Sequence, residues 1–215
     1  MYNALLERSS TQALLDDVKE KKVIDMGCGS GIYTQWLVEN QAQSVISIDL
    51  SQDMVDMVNQ CQYPNVTAYQ QDMTLGLPKE TDNSADVIIC PLLIHYIEDL
   101  APLFAEVHRV LKSSGYMVFS THHPFADFEC SQSGNYFDRE LIKEQWDTVG
   151  TPVEVQFYRR SLTELSNAIT STGLTITNIS EGKVDEKVKE ISPERYEYLS
   201  KNPNFIFMRV EKSLR

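Results

Sequence analysis

Basic residues are scarce in this chain. Over 215 residues, 19 Lys and Arg stand against 31 Asp and Glu, a formal charge of −12. Nucleic-acid affinity comes from neutralising phosphates with Lys and Arg, so a surface of this sign disfavours such a partner. The candidates for a basic patch are Arg159-Arg160 and Lys183 with Lys187 and Lys189, the latter interleaved with Asp185, Glu186 and Glu190. No apolar run approaches the ~20 residues of a membrane span. The start, Met1 to Arg8, lacks the basic opening and apolar centre of a secretory signal. Cysteine is sparse too: Cys28, Cys61, Cys90 and Cys130 show neither a Cys-x-x-Cys pair nor a zinc-like spacing. These absences predict a cytoplasmic protein with reduced thiols and no metal, acting on a small molecule. The length suits one domain spanning 1–215. Oligomeric state is not legible.

Against that background, the segment Val23-Ile24-Asp25-Met26-Gly27-Cys28-Gly29-Ser30-Gly31 stands out. It has the form of a short buried strand entering a glycine-rich turn, followed by helix-like sequence from Ile32. Glycines at alternate positions let the backbone adopt positive φ and approach a ligand without an intervening Cβ. The helix that follows aims its first N–H groups at whatever lies above the turn. Dinucleotide folds place a third glycine at the sixth position of this turn. Counted from Gly27, that position holds Ile32. A nicotinamide cofactor is therefore disfavoured.

Two further acids fall at strand ends. Asp49 closes the β-like run Ser44-Val45-Ile46-Ser47-Ile48, 18 positions after Gly31, against ~20 in the dinucleotide folds. Asp72 follows Val66-Thr67-Ala68-Tyr69-Gln70-Gln71. With Asp-x-Gly-x-Gly-x-Gly, these positions make the chain resemble the class I S-adenosylmethionine-dependent methyltransferases. The resemblance implies S-adenosylmethionine as cofactor and S-adenosylhomocysteine as product. It also implies Asp49 on the ribose hydroxyls, Asp72 on the adenine amine, and Met73, Leu50 and Met54 around the base. Asp25, Gly27, Cys28 and Gly29 would form the turn beneath the cofactor, with Pro91 and Leu92 beside its methionine part. The residues leave simpler readings open: Asp25 as an acceptor for the turn's own N–H groups, Asp49 and Asp72 as strand-end or capping groups.

Helix and strand patterns alternate along the first half: a helix over 9–19, a strand from Val23, a helix over 32–40, a strand over 45–49, a helix over 52–60 and a strand over 66–70. A strand over 86–90, a helix over 100–111 closed by Gly115, and a strand over 116–121 follow. This alternation implies an α/β, doubly wound parallel sheet with helices on both faces. Later come a helix over 162–172 and strands over 175–184 and 205–210. The family resemblance makes the sheet Rossmann-like and seven-stranded, mostly parallel, with one antiparallel strand near the C-terminus. Between them, 121–160 breaks the rhythm, with one short helix expected over 139–146. It leaves from the carboxyl end of a strand, where ligands of open α/β sheets bind, and is assigned as the substrate-side cover.

The candidate base is His95, in the loop after the fourth strand, with Tyr96 beside it. A histidine at a similar place serves small-molecule O-methyltransferases, so the resemblance implies methyl transfer to oxygen or nitrogen. His122 and His123 follow the fifth strand, and because neighbouring residues of a strand point oppositely, at most one of them faces the pocket. His123 is placed there, with Tyr136, Phe137, Trp146, Tyr158 and Arg160. A guanidinium would suit a carboxylate acceptor; a surface arginine or an internal ion pair is the simpler reading. Cys90-Pro91-Leu92-Leu93 matches neither the Asn/Asp-Pro-Pro-aromatic motif of base methylation nor a Pro-Cys nucleophile. The resemblance extends to one bacterial subgroup through 93–99, 120–125, Tyr136-Phe137, Trp146, 157–160 and Phe205. It implies no particular acceptor. Relatives carry a further N-terminal segment, whereas about two dozen residues precede the first strand here. Tyr2-Asn3 and Tyr33-Thr34 would then supply part of the wall, and cofactor binding would be weaker or more open. A binding module or partner subunit without turnover is the non-enzyme alternative.

Overall fold

The structure, a computed structural model, describes residues 6–146 and 152–213. The first half alternates as its sequence predicts: α1 (Arg8–Gln12), β1 (Lys22–Met26), α2 (Ile32–Glu39), β2 (Ser44–Asp49), α3 (Gln52–Gln60), β3 (Val66–Gln70), β4 (Ala85–Pro91), α4 (Ala101–Val110) and β5 (Leu111–His122). The second half comprises α5 (Pro124–Asp127), β6 (Glu140–Trp146), β7 (Val153–Arg159), α6 (Leu162–Thr170), β8 (Leu174–Ser180), α7 (Lys187–Ile191), α8 (Pro193–Lys201) and β9 (Phe205–Lys212). Seven strands form one sheet in the order β3-β2-β1-β4-β5-β9-β8. β1 to β5 pair in parallel, while β9 runs antiparallel between β5 and β8. Strand order reverses between β1 and β4, and ligands of such sheets bind outside the carboxyl ends there.

Both faces of the sheet are covered, so its central strands are apolar throughout rather than alternating. Successive residues supply opposite cores. Ile24, Met26, Ile88, Cys90, Met117 and Phe119 pack on the α4 side with Phe104, whereas Val23, Val87, Ile89 and Val118 pack on the α2 side with Tyr33 and Leu37. Asp25 shares the parity of Val23 and points at α2. A third cluster joins Leu6, Val184, Val188, Leu199, Phe205 and Phe207.

Four differences from the sequence expectations have physical causes. The first helix stops at Gln12 because tertiary partners capture the backbone beyond it. The Asp16 N–H donates to the Tyr116 hydroxyl at 3.0 Å, and Arg209 reaches the Leu14 carbonyl at 3.3 Å and Asp16 Oδ2 at 2.8 Å. Gly115 does not terminate α4. Leu111 already pairs with Ala85, and a Cβ at Gly115 would stand 3.0 Å from the Ala85 carbonyl; close approach is its role. The helix expected over 139–146 is the strand β6, paired antiparallel with β7. Ile142 and Phe157 are buried while Leu141 is exposed, a period-two pattern that a short mixed apolar run conceals. Finally, β8 ends at Ser180, not at 184. The chain turns out at Gly182, whose φ is +80° and whose Cβ would meet Phe207 at 2.7 Å, and continues into α7 and α8.

Candidate functional site

The glycines of the β1–α2 turn have separate duties. All three have positive φ. A Cβ on Gly27 would lie 2.5 Å from Leu93 Cδ1, and one on Gly31 would lie 2.9 Å from Val58 Cγ2, so these two let neighbouring elements close in. At Gly29 a Cβ would meet nothing within 4 Å. This is the glycine that faces open space. The N–H groups of Gly27 and Cys28 both donate to the Ile48 carbonyl, at 2.8 and 3.0 Å, which fixes the turn to the end of β2.

Asp49 ends that strand and clasps both adjoining turns. Its Oδ2 accepts the Gly29 N–H and its Oδ1 the Ser51 N–H, each at 2.9 Å. An ionised carboxylate has about four acceptor positions, so capacity remains on the half-exposed side. Leu50 next to it is 64% exposed, an apolar surface beside the carboxylate. Met54 is half-buried in the first turn of α3, where Ser51 caps the helix by accepting the Met54 N–H.

Beneath the turn, Asp25 is fully buried. Its Oδ2 accepts the Thr34 hydroxyl proton at 2.7 Å, and Thr34 is also hydrogen-bonded to Ser47 at 2.7 Å. Asp25 Oδ1 is buried without a partner. Burial, reinforced by the charge of Asp49, raises the Asp25 pKa to about 7. The Cys28 thiol is pushed up by burial and then by Asp25 and Asp49, so it stays protonated at neutral pH. Asp72 is half-buried after β3 and caps a single 3₁₀ turn, accepting the Thr74 N–H and hydroxyl at 2.8 and 2.7 Å. Met73 is 5% exposed and belongs to the core, so its side chain does not form an open face.

The opposite wall is the end of β4. Leu92 adopts φ +50°, a left-handed conformation that costs a residue with a Cβ about 1–2 kcal/mol. Its N–H donates to the carbonyl and hydroxyl oxygens of Ser120, at 3.0 and 3.1 Å. Ser120 in turn donates to Glu7, which also accepts from Thr11 at 2.7 Å and from the Tyr33 hydroxyl at 3.0 Å. Glu7 is 3% exposed, and desolvation raises its pKa despite these bonds. The sequence reading missed Glu7. It precedes a short helix, and nothing local distinguishes it from a solvated acid; besides Thr11, its partners are 26 and 113 positions away. Tyr33 and Thr34 are buried in these networks rather than forming an open wall. Tyr2 and Asn3 lie outside the described residues.

The residues expected on the acceptor side divide into several groups. His95 is 4% exposed, its ring stacked on His122 at 3.9 Å between centroids and its Nδ1 at 3.3 Å from Thr121 Oγ1. Burial, then the charges of His122 and Arg160, hold its pKa well below the ordinary histidine value. His95 is therefore a neutral wall of a small chamber that His122, Tyr158 and Arg160 also line. His123 faces away from it, which corrects its placement: its Nδ1 accepts the Phe125 N–H, so Nε2 carries the proton and donates to Glu181 at 3.1 Å. His122 is the inward member of the pair. Tyr96, 49% exposed, leans on His95 with centroids 4.2 Å apart. The Tyr136 hydroxyl accepts the Leu162 N–H at 3.0 Å, at the start of α6. Phe137 is 70% exposed on a separate groove with Arg139 and Glu164. The Trp146 side chain lies outside the described residues.

Among the described residues no cluster of three or more His, Cys, Asp or Glu could hold a metal ion, and no helix is long and apolar enough to cross a membrane. Residues 24–119, from β1 through most of β5, match a protein family described as a methyltransferase domain. An S-adenosylmethionine-dependent methyltransferase from Mesorhizobium loti superposes with a TM-score of 0.80 at 27% identity, covering 95% of this chain and 96% of that one. In sequence over β1 to β5 and in fold over nearly its whole length, the chain is similar to S-adenosylmethionine-dependent methyltransferases. A Listeria monocytogenes structure shares the fold with a TM-score of 0.83, 24% identity and 97% coverage of both chains. An uncharacterized protein of Haemophilus influenzae is 30% identical over 148 residues, 66% of this chain. The chain spans 58% of the length of that relative.

The residues at the switch point fit the cofactor of this family. An open glycine and a carboxylate with spare acceptor capacity beside exposed Leu50 meet at the carboxyl ends of β1 and β2, with the orphaned Asp25 oxygen buried beneath the turn.

Proposed function

We propose that this chain transfers a methyl group from S-adenosylmethionine to an oxygen or nitrogen of a small-molecule acceptor. The observation that carries this reading is the Asp49 carboxylate, held by the N–H groups of Gly29 and Ser51 and set against the open side of Gly29. That arrangement suits a vicinal diol, with Leu50 and Met54 against the attached base. Asp72 would meet the base's exocyclic amine from the end of β3. Asp25, Cys28 and Gly27 would form the floor, with Pro91 and strained Leu92 opposite.

The bound cofactor supplies a methyl group already activated on a sulfonium. The protein's contribution is alignment and exclusion of water, and correct positioning alone supplies ~7–11 kcal/mol. We assign the cover to 121–160, of which the β6–β7 hairpin and its root at Tyr158 and Arg160 stand over the carboxyl ends of β4 and β5. His95 serves as a wall in this reading. A desolvated imidazole with a depressed pKa is a weak proton acceptor at neutral pH. The surplus of negative charge supports a small acceptor over nucleic acid.

Titration calorimetry of the purified chain with S-adenosylhomocysteine tests the donor half. Transfer of a labelled methyl group to a small-molecule extract tests turnover and separates an enzyme from a binding module. Absence of S-adenosylhomocysteine binding at millimolar concentration would overturn the reading.

A further inference from the structure

Two consecutive arginines are buried at the root of the β6–β7 hairpin, and their surroundings differ. Arg159 has no exposed surface. Its guanidinium is ion-paired with Glu140 and donates to the carbonyls of Asn135 and Tyr136, at 2.8 and 3.2 Å. Every side of that cation has a partner of the kind a buried charge requires. Arg160 is 7% exposed. It donates through Nη2 to the carbonyls of Ile97 and Glu98, pairs with no carboxylate among the described residues, and leaves its Nε buried without a partner.

Glu164 and Asp99 act on this cation through space without forming an ion pair, and a buried charge left without a paired carboxylate is costly. Burial lowers its pKa only to about 10, so it is charged at neutral pH. The one carboxylate lining the chamber, Asp127, already stands 3.4 Å from His122 Nδ1. Glu98 is occupied by the Tyr158 hydroxyl at 3.2 Å. Of the remaining lining, Ile94, Pro124 and Leu165 are apolar and Thr121 carries only a hydroxyl. The missing element is an anion with a compact, flat acceptor group.

We propose that the acceptor is a carboxylate-bearing small molecule, and that Arg160 selects it by pairing through its Nε edge. The incoming carboxylate does for Arg160 what Glu140 does for Arg159. The chamber measures about 10 Å³, close to the minimum for one water. Tyr158 therefore swings outward on binding; the bond between its hydroxyl and exposed Glu98 is the contact it gives up. The word acceptor rests on the methyl-transfer reading above, whereas the anion site itself does not require turnover.

The test is calorimetry on the full chain, with and without saturating S-adenosylhomocysteine, using acetate, succinate and benzoate against acetamide, succinamide and benzamide. At least one acid is expected to bind about tenfold or more tightly than its amide. Arg160→Gln abolishes that difference and leaves S-adenosylhomocysteine affinity unchanged. Arg160→Lys keeps the charge but loses the Nε edge, so it retains a reduced preference; this variant decides the matter if Arg160→Gln fails to fold. If no acid outcompetes its amide, or if Arg160→Gln keeps the preference, the proposal is overturned while cofactor binding stands. If S-adenosylhomocysteine does not bind, the methyl-transfer reading falls, and the acid–amide comparison still decides the anion site.

Discussion

The Gly29 N–H donates to Asp49 Oδ2 at 2.9 Å, which ties the glycine turn after β1 to the end of β2. The same carboxylate holds the Ser51 N–H, so one side chain shapes both turns around the open side of Gly29. Asp49→Ala is expected to weaken S-adenosylhomocysteine binding about 10- to 100-fold, the range for hydrogen bonds to a charged group. Asp49→Asn, which keeps the shape and loses the charge, should fall between. Calorimetry measures both, with a thermal midpoint to confirm folding.

The three glycines separate experimentally. Gly27→Ala places a methyl 2.5 Å from Leu93 Cδ1 at φ +73°, so the midpoint of thermal unfolding should drop, and Leu93→Ala in the same chain should restore part of it. Gly29→Ala meets no neighbour. It should lower ligand affinity more than it lowers stability. A Gly29→Ala chain that melts earlier than Gly27→Ala but binds normally would refute this division of roles.

Asp25 gives stability a particular pH dependence. Its pKa is about 7 when folded, because of burial, and 3.8 is its ordinary value. Between these values the folded state holds a proton that the unfolded state has released. Stability from this group is therefore full below about pH 4, falls as pH rises to about 7, and is level above. Asp25→Asn should flatten that fall in denaturant titrations between pH 4 and 8.

His95 offers a test between base and wall. Loss of a general base costs ~100- to 10,000-fold. For a neutral ring packed on His122, His95→Gln should cut kcat less than about tenfold once an acceptor is in hand. A loss in the larger range, with a pH profile that loses one limb, would restore the base.

Glu7 links three elements of the site through hydroxyls. Glu7→Gln keeps the size but replaces an acceptor of several bonds by a group that must also donate. It should lower the thermal midpoint and loosen the turn at Leu92, seen as faster amide exchange at the end of β4.

The parallel half of the fold is legible because its signals are local. Apolar runs and the glycines at 27, 29 and 31 all act within a few residues. Asp49 and Asp72 were placed by strand ends for the same reason. What escaped the sequence was long-range. His122 rather than His123 faces the chamber because β5 pairs out to His122, and His123 is then free to cap α5 and reach Glu181. The hairpin was obscured because Leu141 and Ile142 are adjacent, so alternation was not visible until pairing with β7 showed which side each takes. Glu7 has an unremarkable local context and acquires its role from Tyr33 and Ser120. Met73, expected against the base, has its side chain in the core at the start of the 3₁₀ turn that Asp72 caps.

The hairpin β6–β7 forms a sheet of its own, locked at its base by Arg159 to Glu140, Asn135 and Tyr136. A unit with its own lock, tied outward through Tyr158 to Glu98 and Arg160 to Ile97, can be exchanged as a piece if those few contacts are kept. Grafting the stretch between Asn135 and Arg160 from one relative onto another should transplant the choice of recipient while the donor half stays unchanged.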